Sequence, residues 1–90
     1  MDLKEIRADI DSVDHDLLEL FIKRMDLAGR VAEYKVANDM PVLRPEREQE
    51  ILDRVEAEAG EAYGAYARDL YENILRISRQ MQQKIVDTAR

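Results

Sequence analysis

One arginine lies where a helix would be expected to carry an apolar side chain. Read in heptads, the first 34 residues form an apolar seam with a single cationic member. The seam consists of Leu3, Ile6, Ile10, Val13, Leu17, Leu20, Arg24, Leu27, Val31 and Tyr34. A guanidinium stays protonated at physiological pH, so burying it without an anion costs several kcal/mol. Arg24 is therefore expected either to reach solvent or to meet an anion that enters the seam.

Two more cations lie on the neighbouring row of the same helix. Arg7 and Lys35 share this row with Asp14, Phe21 and Ala28 at seven-residue spacing. Cationic groups spaced along one buried face favour a pocket for a small polyanion.

Polar side chains also interrupt the apolar faces of two later segments. Glu48 lies three residues before Ile51 and points with it, while Arg47 lies at the edge of that face. Ser78 and Gln82, four residues apart, replace apolar side chains near the end of the chain. Any one of these residues alone is more often structural, as a helix N-terminal charge or a satisfied interhelical hydrogen bond. Together with the three cations of the first helix, they favour a bound molecule with two negative groups and neutral hydrogen-bonding oxygens.

The residues above are carried by three predicted helices in the order long, short, long. Helix 1 is expected over about residues 2–38, helix 2 over about 45–59 and helix 3 over about 63–88. Pro45 suits the first position of helix 2, and Gly60 suits the position just after its end. We expect a single all-α domain over residues 1–90.

Helix 1 is too long for a domain of this size. At 1.5 Å per residue it would span roughly 50 Å, against the ~30 Å diameter of a small domain. The rest of the chain cannot cover both of its ends. We therefore expect an intertwined homodimer in which the long helices pair and each pocket takes residues from both subunits.

Composition narrows the possible partners and chemistry. A net charge of −6 opposes binding to nucleic acid or to an anionic membrane. The absence of cysteine excludes disulfides and thiolate chemistry, and fits a reducing compartment. His15 has no second histidine as a partner, and no phosphate-cradling glycine loop is present. We expect no metal, no cofactor, no membrane segment and a cytoplasmic location.

Short motifs follow one another in order along the whole chain. The first is Leu-x-x-Ile-Arg-x-x-Ile-Asp-x-Val-Asp-x-x-Leu-Leu-x-Leu over residues 3–20, and Lys23-Arg24, Val31-Ala32-x-x-Lys35, Pro41-Val42, Pro45-Glu46-Arg47-Glu48 and Ser78-x-x-x-Gln82 follow. This set resembles the all-helical chorismate mutases of the AroQ class. The resemblance implies an intertwined helical dimer that isomerises chorismate to prephenate, a step in phenylalanine and tyrosine synthesis, without a cofactor.

The resemblance also implies which residues hold the substrate. Arg24, together with Arg7 from the other subunit, would bind the two carboxylates of chorismate. Lys35 and Gln82 would donate hydrogen bonds to the ether oxygen of the breaking bond. Arg24, Lys35 and Gln82 are thus the implied catalytic residues.

Three further positions complete the implied site. Glu48 would accept a hydrogen bond from the ring hydroxyl, while Arg47 and Ser78 would support the carboxylate end. Arg44 stands where many relatives carry an aspartate, so only a backbone contact to the ring hydroxyl is expected from that position.

Two alternatives remain open. An isochorismate-pyruvate lyase on the same scaffold would bind a substrate with the same two carboxylates. Glu48 favours the mutase, because the lyases tend to be apolar at that position. A non-catalytic helical regulatory or interaction module would bind chorismate without converting it.

Overall fold

The computed structural model describes residues 2–90, and all of its regular elements over that range are helices. They are α1 (Leu3–Ala37), α2 (Pro45–Ala59) and α3 (Gly64–Ala89). The predicted all-α class and the long, short, long order are confirmed. None of the three helices is both long and apolar enough to cross a membrane.

Local sequence signals explain where the helices begin and end. Asp2 caps α1 by accepting a hydrogen bond from the backbone N–H of Glu5 at 2.9 Å. Pro45 occupies the first turn of α2, where its missing N–H is not needed. Gly60 follows α2 with φ of 84°, a left-handed conformation that favours glycine.

α3 is the central element of the protomer. Both α1 and α2 pack against α3 rather than against each other. The buried apolar core is small, with two residues from each helix: Ala28, Ala32, Ile51, Val55, Leu75 and Val86. The gap that remains between α1 and α2 is closed on one side by α3.

A close helix–helix approach fixes the hairpin of α2 and α3. A Cβ at Gly64 would lie 2.8 Å from the carbonyl oxygen of Glu56, so α3 begins directly against the backbone of α2. Arg68 reinforces the contact, since its Nη1 lies 3.0 Å from both Asp53 Oδ1 and Glu56 Oε1. These contacts set the position of α2 relative to α3.

The first half of α1 extends away from the rest of the protomer. Residues 2–20 are all exposed, and the protomer measures 55 × 26 × 14 Å. Its radius of gyration is 16.3 Å, whereas a compact chain of this length has about 12 Å. The nine apolar residues of the seam are between 40% and 63% exposed. The seam therefore has no cover within one protomer.

Candidate active site

A cavity of about 600 Å³ lies where the second half of α1, the first turns of α2 and the middle of α3 meet. This volume is in the range of small-molecule sites. Six of the seven residues selected from the sequence line it: Arg24, Lys35, Arg47, Glu48, Ser78 and Gln82. Apolar side chains of all three helices, including Leu27, Ile51 and Leu75, complete the walls.

Lys35 is the most deeply placed cation of the cavity, with only 7% of the residue exposed. Its Nζ donates hydrogen bonds to the backbone oxygen of Val42 at 2.7 Å and to Oε1 of Gln82 at 3.3 Å. Burial lowers the pKa of the Lys35 ammonium, the charge of Arg44 lowers it further, and Glu48 partly offsets both. An ammonium has three N–H groups, so one remains to meet a ligand.

Gln82 is held beside Lys35 by a second buried contact. Its Nε2 donates a hydrogen bond to Oγ of Ser78 at 3.1 Å, and both residues are buried. Because an amide nitrogen carries two N–H groups, Gln82 also keeps one donor. Two donors that meet no acceptor within residues 2–90 therefore lie next to each other at the base of the cavity.

Arg24 faces the cavity from α1. Its guanidinium carbon lies 5.9 Å from the centroid of the Tyr71 ring, a cation–π contact, and the residue is half-buried. Within residues 2–90 it forms no salt bridge with a carboxylate. Its positive charge is therefore available to an anion in the cavity.

Glu48 is paired with a cation that the sequence reasoning missed. Arg79 forms a salt bridge through Nη1 to Glu48 Oε1. The helical spacing places Arg79 beside the buried face of α3, four residues after Leu75 and three before Gln82. Charged residues are common at such an edge, so the position alone did not single it out.

Three other arginines border the cavity. Arg47, selected from the sequence, is mostly exposed and pairs with Glu50 at 2.8 Å. Arg44 and Arg54 line the cavity as well, and sequence reasoning assigned no side-chain contact to either. Among residues 2–90 the lining thus includes six cationic side chains and one carboxylate. A chain with a net charge of −6 concentrates positive charge here, which favours an anionic ligand.

Arg7 is the one selected residue that lies away from the cavity. It is exposed in the first half of α1, in a shallow cleft with Leu3, Lys4, Ala8 and Asp11. Seventeen residues of helix separate it from Arg24, which corresponds to roughly 25 Å. Arg7 cannot reach the cavity of its own protomer.

A second cleft of similar volume, at the turn between α2 and α3, offers less to a ligand. Its cation, Arg68, is already held by Asp53 and Glu56. The cavity around Lys35 is therefore the candidate active site.

Comparison with known protein families gives a match over most of the chain. The profile of the family described as chorismate mutase type II matches residues 6–83. The chain belongs to the type II chorismate mutase family. All six selected residues of the cavity lie within the matched range.

Individual relatives of this type II chorismate mutase family member differ in length and in the activity for which they are named. The chain is 39% identical over 74 residues to the T-protein of Haemophilus influenzae, which covers 82% of the chain and 19% of that protein. It is 45% identical over 53 residues to a chorismate mutase of Methanocaldococcus jannaschii, covering 59% of the chain and 54% of the relative. It is 36% identical over 53 residues to a 4-amino-4-deoxychorismate mutase of Streptomyces venezuelae, covering 59% of the chain and 52% of the relative. The chain thus spans between a fifth and a half of these relatives. No solved structure matches it significantly.

Proposed function

We propose that this chain is a chorismate mutase, which converts chorismate to prephenate in the synthesis of phenylalanine and tyrosine, and that residues 1–90 act as one domain. The observation that supports this most directly is the placement of Lys35 and Gln82. Each keeps an unused donor at the base of a cavity whose lining, among residues 2–90, includes six cationic side chains and one carboxylate. Family membership supports the same conclusion.

The proposed reaction needs positioning and charge stabilisation rather than proton transfer. It is a pericyclic shift within one molecule, in which a carbon–carbon bond forms as the ether carbon–oxygen bond breaks. Holding the enolpyruvyl arm over the ring removes entropy from the barrier. Negative charge grows on the ether oxygen as the bond breaks, and donors aimed at that oxygen stabilise the transition state. No metal or cofactor takes part in such a rearrangement.

In this proposal the donors and the carboxylate-binding residues have separate tasks. Lys35 and Gln82 donate to the ether oxygen, Arg24 holds a carboxylate, and Arg47 and Ser78 support the carboxylate end. Even a modest enzymatic acceleration needs a barrier lower by roughly 8 kcal/mol. One donor aimed at developing negative charge contributes about 3 kcal/mol. Positioning by the arginines must supply much of the remainder.

We further propose that the site is completed by a second copy of the chain. Arg7 lies too far from its own cavity to serve it, and the apolar seam is exposed in the protomer. An intertwined homodimer would cover the seam and carry Arg7 of the partner subunit to the cavity, where it would hold the other carboxylate.

The substituent on the ring of the substrate remains to be assigned. Glu48 is the acceptor proposed to meet a ring hydroxyl, which favours chorismate over isochorismate as the substrate. One relative is named for a substrate with an amino group in place of that hydroxyl. We propose that this chain takes the hydroxyl compound.

Product analysis tests this proposal. The purified chain is incubated separately with chorismate and with isochorismate, and the products are separated by chromatography. Prephenate from chorismate is the expected result, and a Lys35→Ala variant, whose rate should be strongly reduced, provides the control. Salicylate and pyruvate from isochorismate, without prephenate, would instead show a lyase. Chorismate binding without consumption would show a non-catalytic module.

A further inference from the structure

Building on the proposed function, we propose that Arg79 determines specificity by positioning and neutralising Glu48. With this pair in place, the cavity accepts a neutral hydroxyl on the substrate ring and rejects an ammonium at the same place. The resemblance to known mutases assigns no role to Arg79.

The salt bridge joins two helices across the wall of the cavity. Glu48 lies in the first turns of α2 and Arg79 in the middle of α3. Their side chains are 21% and 36% exposed, so the pair is partly screened from water by the protein. Arg79 contacts no other carboxylate within residues 2–90 at salt-bridge distance.

The pair uses one oxygen of the carboxylate. Arg79 Nη1 donates to Oε1 of Glu48, while Oε2 accepts no hydrogen bond from the described part of the chain. A carboxylate has lone pairs on both oxygens, so Oε2 can still accept a hydrogen bond from a hydroxyl. Arg79 thus fixes the direction of Glu48 without consuming its capacity as an acceptor.

The charge balance around Glu48 is what discriminates between substituents. Glu48 is the only carboxylate lining the cavity within residues 2–90, and Arg79 offsets its charge. The other cationic side chains of the lining remain and repel a positive substituent. An ammonium would therefore find no net negative group to pair with, and like charges placed together disfavour binding. A hydroxyl carries no charge and needs only the acceptor.

The pairing makes a sharp prediction for two substrates that differ only in this substituent. Chorismate and its analogue with an amino group, which is protonated at pH 7, are compared by kcat/KM in the full chain. Arg79→Gln removes the charge that offsets Glu48, so the variant should shift the preference toward the amino analogue by about tenfold or more. The gain should appear mainly as a lower KM for the analogue, since charge attraction acts already in the ground state.

Three further variants separate positioning from a purely structural role. Arg79→Lys keeps the positive charge and should retain the preference of the unmodified chain. Arg76→Gln removes an exposed arginine from the same helix and should leave kcat/KM unchanged for both substrates. In a Glu48→Gln background, Arg79→Gln should no longer shift the preference, because its effect passes through the carboxylate.

The outcomes divide clearly. An unchanged preference in Arg79→Gln, with chorismate still converted, would overturn this inference and leave the proposed function standing. Failure of the unmodified chain to convert either compound would instead overturn the proposed function. Should Arg79→Gln unfold, Arg79→Met replaces it with an apolar side chain of comparable length. If both neutral variants lose their helical circular dichroism, Arg79 serves the fold and the inference is wrong.

Discussion

At the scale of single residues, the role proposed for Lys35 depends on the groups that surround its ammonium. Lys35 is buried. It donates one hydrogen bond to the backbone oxygen of Val42, in the connection after α1, and another to Gln82. In the proposed mechanism, replacing Lys35 with alanine removes a donor aimed at charge that develops in the transition state. We expect Lys35→Ala to lower kcat by about 10²–10³-fold, with a smaller effect on KM.

Steady-state kinetics with chorismate check this prediction. Lys84→Ala, which removes an exposed lysine of α3, is the matched control and should behave like the unmodified chain. A higher KM with kcat preserved in Lys35→Ala would contradict the proposed role of Lys35.

The lowered pKa of Lys35 predicts a pH dependence with a definite sign. The ammonium is lost as pH rises through that lowered pKa, so kcat/KM should fall at a pH below the ordinary lysine value of about 10.4. Lys35→Arg keeps its charge over this range, and its alkaline decline should begin at higher pH. An identical alkaline limb in both proteins would show that another group controls the rate.

The free energy of unfolding should rise with pH over the range in which kcat/KM falls. Between the lowered pKa of folded Lys35 and its ordinary value in the unfolded chain, the unfolded state binds more protons. The contribution of Lys35 to the free energy of unfolding therefore increases as pH rises through that window. The charged lysine destabilises the empty protein slightly, which is expected of a group placed to meet an anion.

The sequence identified most of the charged, hydroxyl and amide side chains that line the cavity, for a clear physical reason. Arg24, Ser78 and Gln82 interrupt apolar rows, and an interruption is visible in the helical spacing alone. Arg79 and Arg54 lie at the edges of such rows, where charged residues are common and carry no signal. That Arg79 meets Glu48 depends on how α2 packs against α3, which the spacing within one helix does not specify.

At the scale of elements, the start of α3 against α2 determines where Glu48 lies. Gly64 leaves no room for a side chain, since a Cβ there would lie 2.8 Å from the backbone oxygen of Glu56. We expect Gly64→Ala to lower the free energy of unfolding by about 1–3 kcal/mol, because one backbone must move. Urea denaturation at fixed protein concentration measures the change.

Gly29 provides the matched control for that substitution. It lies within α1, and the nearest side-chain atom to an added Cβ would be Ile85 Cδ1 at 3.9 Å, an ordinary contact. Gly29→Ala should stabilise the protein by about 0.5–1 kcal/mol, because alanine suits a helix interior better than glycine. Equal destabilisation by both substitutions would show that the contact at Gly64 is not the cause.

Helix class and order were readable from the sequence, whereas the packing of the helices was not. Proline and glycine signals around residues 41, 45 and 60 separate the three segments. The central position of α3, with both α1 and α2 packed against it, was not part of the prediction. It depends on which apolar faces fit one another, and all three helices carry such a face.

At the scale of the whole molecule, the exposed seam and the isolated Arg7 point to the same missing component. One half of α1 has no buried residue, yet it carries most of the apolar seam. Large exposed apolar surfaces are uncommon in monomers and mark interfaces. The length of helix 1 predicted this lack of cover within one chain. That a second copy supplies the cover stays a prediction.

Mixing two inactive variants tests the central claim that the cationic cavity becomes an active site when Arg7 of the partner subunit enters it. Arg7→Ala and Arg24→Ala chains are each inactive in this account, but a mixed dimer contains one site with both arginines intact. Random exchange at equal concentrations should restore about one quarter of the chorismate mutase sites. Activity near that level after mixing is the predicted result. No recovery, once subunit exchange has been confirmed by mass, would contradict it.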